Sequence, residues 1–181
     1  MTACLSGPCE GILESHKNEI YMALSIGQEA PDFTLVDSDK NEVTLSEQRG
    51  EPVVLLFFPL AFTGVCTTEL CSVRDDIGSY SGIGAKVYGI SVDSPFVLEK
   101  FKAEQNLNFP LLSDFNSETS ANYGARYDDF VLGMKNVSKR SAFVIDAEGK
   151  VRYAEVLESA GDLPNFDAVK ATLAELGAAA G

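Results

Sequence analysis

Blocks of apolar residues along the chain are separated by amphipathic and polar segments, an order that predicts strands alternating with helices. The most apolar block, Val53–Phe58, is a continuous run of β-branched, aliphatic and aromatic residues that ends at Pro59. Such a run is typical of a strand buried on both faces of a sheet. Lys86–Val92 predicts a second inner strand, and Phe109–Leu112 a shorter one.

Two pairs of short apolar segments are each joined by a polar turn, which predicts a β-hairpin at either end of the fold. The first hairpin pairs Phe33–Val36 with Glu42–Leu45, and the second pairs Ser141–Ile145 with Val151–Leu157.

Four segments have the composition of helices, and they are Cys66–Ile77, which ends near Gly78, Pro95–Gln105, Ser117–Tyr123 and Phe166–Leu176. Ser94 followed by Pro95 combines a preferred N-cap residue with the residue best suited to a first helical turn. Strands separated by helices, with hairpins at both ends, predict an α/β fold: a central mixed β-sheet flanked by helices, with an N-terminal β-hairpin.

Length and charge narrow the range of functions. The chain has 181 residues, which suits one domain, and a formal net charge of −13. An acidic surface repels phosphate backbones and anionic lipid, so neither nucleic acid nor a membrane is expected as a partner. The apolar runs are too short to span a bilayer, and no secretory signal is apparent, so we expect a cytoplasmic protein.

The first 21 residues differ from the rest of the sequence. They hold Cys4, Cys9 and the only histidine, His16, without a clear strand or helix pattern. We expect residues 1–21 to be an extension that is either disordered or upstream of the native start, and residues 22–181 to form the domain. Both cysteine pairs are spaced C-x4-C rather than the usual C-x2-C of zinc sites, so no metal is expected.

The densest chemical signal is the segment from Pro59 to Cys71. A buried strand ends at Pro59, a loop of small residues follows, and a helix starts near Cys66. A thiol in a first helical turn faces unpaired backbone N–H groups and the positive end of the helix dipole, which favour the thiolate. The Thr63 hydroxyl is close enough in sequence to reach that sulfur or a substrate oxygen, and Pro59 can shield it from water. The alternative is that Thr63 caps the helix and Cys66 fills the core.

The spacing P-x3-T-x2-C formed by Pro59, Thr63 and Cys66 resembles the active-site motif of the peroxiredoxins. The resemblance covers residues 24–178, where the segments GQEAPDFTL, VVLLFFP, VYGISVDSP, FPLLSD and SAFVIDAEGKVRY follow in the family's order. It implies a thioredoxin-like fold and reduction of peroxides without a cofactor. It also implies that Cys66 is the peroxidatic cysteine, whose thiolate becomes a sulfenic acid, and that Thr63 hydrogen-bonds the peroxide.

Two further residues correspond to the family pattern. Arg140 matches an arginine that opens a later strand, where a guanidinium would stabilise the Cys66 thiolate and the breaking peroxide bond. The alternative is a solvated arginine at a strand edge. Cys71 matches the resolving cysteine of the peroxiredoxin Q (bacterioferritin-comigratory) type, five residues after the peroxidatic one. The loop FFPLAFTGVC is closer to the AhpE type, which implies either resolution by an external thiol or an inert Cys71.

The resemblance implies hydrogen peroxide and organic hydroperoxides as substrates, thioredoxin or a glutaredoxin-like protein as reductant, and a monomer or homodimer. We expect one of two roles for the apolar residues near the motif: an apolar rim suited to organic substrates, or contacts in the core or at a dimer interface. These residues are Phe58, Phe62, Val65 and Phe130. A thioredoxin-type disulfide exchanger is disfavoured because the chain has no C-x-x-C. A non-enzymatic zinc-binding or holdase module is the remaining alternative, and metal-free consumption of peroxide would exclude it.

Overall fold

A computed structural model of the protein describes residues 24–179, and these form a seven-stranded mixed sheet with helices on its faces. The strands of this sheet are β1 (Thr34–Asp37), β2 (Glu42–Thr44), β3 (Val53–Phe57), β4 (Lys86–Ser91), β5 (Leu111–Ser113), β8 (Ser141–Ile145) and β9 (Val151–Val156). Their order across the sheet is β2-β1-β5-β4-β3-β8-β9. The two remaining strands, β6 (Arg126–Asp129) and β7 (Lys135–Ser138), form a separate hairpin. The predicted α/β fold with a mixed sheet is confirmed.

Strand β3 lies near the centre of the sheet, parallel to β4 and antiparallel to β8. All five of its residues are buried, as the apolar run predicts. Because successive side chains of a strand point to opposite faces, β3 contributes to two cores. Val54 and Leu56 belong to the core on one face, and Leu55 and Phe57 to the core on the other.

The helices are α1 (Gly64–Asp75), α2 (Ile77–Ser81), α3 (Pro95–Gln105), α4 (Glu118–Asn122) and α5 (Phe166–Ala179). Helices α1, α3 and α5 cover the first core through residues such as Leu70, Phe101 and Leu173, whereas the second core includes Tyr123 next to α4. Among residues 24–179 no helix is long and apolar enough to cross a membrane.

The two predicted hairpins, β1–β2 and β8–β9, are confirmed, and in the structure they form the two edges of the sheet. Helix α3 has the predicted bounds, and the Ser94 hydroxyl accepts a hydrogen bond from the Val97 amide (3.4 Å), which confirms the predicted cap.

The structure differs from the sequence prediction in several places. Helix α1 begins two residues earlier than expected, and Gly78 lies inside the short helix α2 instead of ending α1. The hairpin β6–β7 was not predicted. Its first strand, Arg126–Asp129, is half exposed and shows no alternation of apolar and polar residues. The sequence pattern therefore gives no sign that it pairs with β7.

Candidate active site

The loop between β3 and α1 is held in place by a carboxylate that follows β4. Asp93 Oδ2 accepts hydrogen bonds from the Ala61 amide (2.7 Å) and the Ser91 hydroxyl (2.9 Å). Pro59 is buried two residues after the end of β3. Phe62 adopts a left-handed conformation (φ 62°), which is uncommon for an aromatic residue and turns the chain sharply before the helix.

Cys66 lies in the first turn of α1, and its side chain is buried with 1% of its surface exposed. The helical hydrogen bonds start with the Thr67 amide, which donates to the Thr63 carbonyl (2.9 Å). The amides that precede Thr67 therefore point beyond the helix N-terminus. This confirms the predicted position of the thiol at the start of a helix.

Thr63 occupies the N-cap position of α1 but makes no side-chain capping bond. Its hydroxyl donates instead to the Leu60 carbonyl (2.9 Å), within the same loop. Because this bond uses the only hydroxyl hydrogen, the exposed oxygen remains an acceptor for a donor from solution.

Arg140 reaches Cys66 from the neighbouring strand of the sheet. It precedes β8, and the register that pairs Ser141 with Phe57 brings Arg140 beside the end of β3, where the loop to Cys66 begins. The guanidinium is almost fully buried, with 1% exposed, and its Nη2 donates to Cys66 Sγ (3.3 Å). The interpretation of Arg140 as a solvated arginine at a strand edge is therefore wrong.

The other donors of Arg140 are also engaged. Nη1 donates to Glu69 Oε2, and both Nε and Nη2 donate to the Ala160 carbonyl (3.3 and 2.8 Å). Burial opposes the charge of this guanidinium, but Glu69 and Cys66 offset it and raise the pKa of Arg140. The site thus holds a permanent positive charge against the thiol sulfur.

Glu69 is fully buried one helical turn after Cys66, with no exposed side-chain surface. Burial raises the pKa of Glu69 to about 7, although Arg140 acts in the opposite direction. Its second oxygen, Oε1, has no hydrogen-bond partner among the described residues. No role for Glu69 is predicted from the sequence, although an acidic residue three positions after the cysteine, on the same face of α1, is a signal that could have indicated one.

Cys71 lies in the same helix, five residues after Cys66, and is half-buried. Both cysteines are free thiols in this structure. The Cys71 sulfur faces Arg74 and the end of α3 rather than Arg140.

The expected apolar rim is only partly present. Phe58 is fully buried and packs on Phe101, so it belongs to the core. Phe62 and Val65 are exposed on either side of Thr63, at 48% and 36%. Phe130 lies outside this loop, next to hairpin β6–β7, and its ring packs on Tyr127.

Within residues 24–179, no group of three His, Cys, Asp or Glu side chains is placed to hold a metal ion. Cys4, Cys9, His16 and the rest of the 1–21 segment lie outside the described residues.

Comparison with known proteins identifies relatives over most of the chain. Residues 26–154 match the AhpC/TSA family. A Mycobacterium tuberculosis protein named as a peroxiredoxin is 42% identical over 134 residues, covering 73% of this chain and 85% of the relative. Peroxiredoxin Bcp of Escherichia coli K12 is 35% identical over 131 residues, covering 72% and 84%. The structure of Xanthomonas campestris peroxiredoxin Q superposes with a TM-score of 0.70 at 29% identity, covering 80% of this chain and 91% of that one.

Proposed function

The chain belongs to the AhpC/TSA family of peroxiredoxins, and we propose that Cys66 is its peroxidatic cysteine and Cys71 its resolving cysteine. The protein is a thiol-dependent peroxidase, with peroxides as substrates and a thioredoxin-type reductant. The observation that carries the assignment of Cys66 is the buried Arg140 guanidinium, whose Nη2 lies 3.3 Å from the Cys66 sulfur. A fixed positive charge at that distance favours the thiolate, which is the nucleophilic form.

In the first step the Cys66 thiolate attacks one oxygen of the peroxide. An S–O bond forms while the O–O bond breaks, so the cysteine is oxidised to a sulfenic acid and the peroxide is reduced. The leaving hydroxide or alkoxide takes a proton from water. Arg140 lies beside the reacting sulfur and stabilises the negative charge that moves from sulfur to oxygen.

Thr63 and Pro59 are proposed to orient the peroxide and limit access of water. Since the Thr63 hydroxyl hydrogen is engaged by the Leu60 carbonyl, its oxygen is suited to accept the O–H of a bound peroxide. The buried ring of Pro59 contributes no N–H donor that would compete for the sulfur.

The second step is attack of Cys71 on the Cys66 sulfenic acid. An S–S bond forms, the S–O bond breaks, and hydroxide leaves as water after taking up a proton. Five residues on an α-helix give about 7.5 Å of rise and about 140° of rotation, so the two Cα atoms are roughly 8–9 Å apart. A disulfide requires less than about 7 Å. The start of α1 must therefore unwind before the disulfide forms.

The two cysteines belong to one helix, so the proposed cycle needs no second copy of the chain, and either a monomer or a homodimer can complete it. We propose that hydrogen peroxide and organic hydroperoxides are both substrates, and that thioredoxin or a glutaredoxin-like protein reduces the disulfide. We also propose that the protein is cytoplasmic, because reductants of this kind keep thiols reduced in the cytoplasm.

The test is peroxide turnover and thiol mass analysis of Cys66→Ser and Cys71→Ser. We expect Cys66→Ser to lose peroxidase activity, whereas Cys71→Ser still reduces about one equivalent of peroxide in a single turnover and stops at the sulfenic acid. After one equivalent of peroxide, wild-type protein should lose two hydrogens at a Cys66–Cys71 linkage. Wild-type turnover by Cys66→Ser would refute the catalytic assignment. A persistent sulfenic acid with Cys71 still alkylatable would instead indicate a one-cysteine cycle with an external thiol.

A further inference from the structure

The surroundings of Cys71 form a polar cluster that is separate from the contacts of Cys66. Arg74 Nη1 donates to Cys71 Sγ (3.5 Å), and the Cys71 thiol donates to Gln105 Oε1 (3.8 Å). The same Arg74 nitrogen donates to the Gln105 backbone carbonyl (2.5 Å), at the end of α3. Cys71 thus has a guanidinium of its own, distinct from Arg140.

The charged side chains of α1 and α3, the two helices that form this cluster, are all engaged in ion pairs. On α1, Asp75 pairs with Arg74 (2.8 Å), and this bond raises the pKa of Arg74. On α3, Gln105 does not titrate, while Lys102 and Glu104 are paired elsewhere, with Asp39 (2.7 Å) and Lys100 (3.1 Å). Among residues 24–179, Arg74 is the cationic residue that donates a hydrogen bond to the Cys71 sulfur.

Arg74 also anchors the end of α1 that carries Cys71. Its side chain binds the Gln105 carbonyl, and its own carbonyl accepts from Asn108 Nδ2 (3.1 Å). At the start of α1 the capping residue Thr63 makes no capping bond, and Cys66 and Glu69 are held by Arg140 rather than by α3. Unwinding from the Gly64 end, with release of the Arg140 contacts, can therefore bring Cys66 towards a Cys71 that remains in place.

We propose that Arg74 is a positioning residue for the resolution step: its charge stabilises the Cys71 thiolate that forms once the thiol gives up the proton it directs at Gln105 Oε1, and its bonds keep that sulfur at the anchored end of α1. This inference rests on the proposed resolving role of Cys71. The proton leaves Cys71 to solvent before attack. The thiolate then forms the S–S bond with Cys66 as the sulfenic S–O bond breaks, and the departing hydroxide takes up a proton equivalent to the one released by Cys71 and leaves as water. Arg74 supplies positive charge throughout and transfers no proton.

The experiment is a rapid-mixing measurement of Arg74→Gln, with Arg74→Lys as the conservative variant. Gln keeps a donor for the Gln105 carbonyl but removes the charge. Cys66 oxidation by hydrogen peroxide and the later formation of the Cys66–Cys71 disulfide are followed separately, across a range of pH. The matched control is Arg49→Gln, which removes an arginine paired with Glu29 outside the cluster.

For Arg74→Gln we expect an unchanged rate of Cys66 oxidation and disulfide formation slowed about tenfold at about pH 7, because an ordinary thiol is mostly protonated there. Above about pH 9 the two proteins should form the disulfide at the same rate, because the thiol ionises there without a neighbouring positive charge. Arg74→Lys should restore part of the rate, and Arg49→Gln should match wild type. An unchanged rate of disulfide formation in Arg74→Gln would overturn the inference, and so would a rate that is slowed equally at every pH, since that result shows anchoring without a charge effect.

A second measurement needs no change at Arg74. In Cys66→Ser protein, alkylation of Cys71 by iodoacetamide is mapped by peptide mass spectrometry as a function of pH, folded and in urea. The folded protein should reach half its maximal rate at lower pH than the unfolded protein, because unfolding removes the guanidinium. Equal midpoints would overturn the inference while leaving the resolving role intact. Absence of any Cys66–Cys71 disulfide in wild type would overturn the resolving role itself and this inference with it.

Discussion

The planar guanidinium of Arg140 donates hydrogen bonds to three partners, which are a thiol, a carboxyl and a backbone carbonyl. Its partners are Cys66 Sγ, Glu69 Oε2 and the Ala160 carbonyl oxygen. A lysine has one nitrogen on a flexible stem and cannot reproduce this fork. The orientation of the cation at Cys66 therefore depends on Glu69 and Ala160 as well as on Arg140.

Replacing Arg140 with Met is expected to slow peroxide reduction at least about tenfold, because one charge-assisted contact with the reacting sulfur is lost and each tenfold corresponds to about 1.4 kcal/mol. Arg140→Lys should be intermediate. Stopped-flow measurement of Cys66 oxidation provides the rates. The control is Arg152→Met, an arginine that pairs with Asp146 instead. Arg140→Met reacting as fast as this control would show that the guanidinium does not assist the attack.

Glu69 gives the folded protein a pH dependence of its own. Its pKa is about 7 when folded, against an ordinary value of 4.5. Between these values the unfolded chain releases the proton while the folded protein keeps it, so the unfolded state binds fewer protons. Stability must therefore fall as pH rises through this window, and the contribution is constant below and above it.

We expect Glu69→Gln to remove this dependence. Across about pH 4.5 to 7, the free energy of unfolding of wild type should decrease relative to the variant by a few kcal/mol at most, since one pKa unit corresponds to about 1.4 kcal/mol. Urea unfolding of both proteins under reducing conditions, at the two ends of the window, measures the difference. Parallel pH profiles would show that Glu69 ionises as an ordinary carboxyl.

At the scale of elements, α1 carries both cysteines, and its two ends differ in how they are held. Its last turn is tied to α3 and the following segment through Arg74, Gln105 and Asn108. Its first two turns begin at Gly64 and contain Thr67 and Thr68, three residues with lower helix propensity than alanine. The hydroxyls of both threonines bond back to carbonyls one turn earlier, a pattern that competes with straight helical geometry.

Disulfide formation is therefore expected to melt the first turns of α1 and leave the last turn folded. In hydrogen exchange followed by mass spectrometry, amides 67–70 should lose protection on oxidation, while amides 73–75 retain most of theirs. Cys71→Ser treated with the same peroxide is the control and should keep the whole helix protected. Protection of residues 67–70 in the disulfide form would contradict the unwinding.

At the scale of the whole molecule, the sheet brings together groups that are far apart in sequence. Cys66 and Arg140 are separated by 74 positions, and they meet because β3 and β8 are antiparallel neighbours with Phe57 opposite Ser141. The cores on both faces of the sheet fix this register, because shifting a strand by one residue would move each of its side chains to the opposite face.

The residues of the site and the side chains that bond to them lie between Pro59 and Ala160. Removal of residues 1–21 is therefore expected to leave the rate of peroxide reduction and the Cys66–Cys71 disulfide unchanged. The truncated protein also lacks Cys4 and Cys9, which simplifies thiol counting. Peroxide turnover by the full chain and the truncated chain, compared at equal concentration, measures the effect. A large loss of turnover in the truncated chain would show that the extension supports the site.

The amino-acid sequence by itself determined the local structure that carries Cys66. The apolar run Val53–Phe58 and the following Pro59 predicted a strand and its end to within one residue, and Thr63 and Cys66 stood in the loop and at the start of the helix that follow. These features are readable because burial, capping and chain direction act over a few neighbouring residues. Helix α3 was predicted at its observed bounds for the same reason.

The tertiary structure alone decided which distant groups share the site. The resemblance assigned Arg140 to the site, with a solvated arginine as the alternative, and Glu69 had no assigned role. The register of β3 and β8 brings Arg140 to Cys66, and Glu69 is buried on α1 against the same guanidinium. The contact of Arg74 with Cys71 likewise depends on the end of α3. The pattern of apolar and polar residues indicates which side of a helix or strand is buried. It does not indicate which residues pack against that side, because those contacts come from elements far apart in sequence.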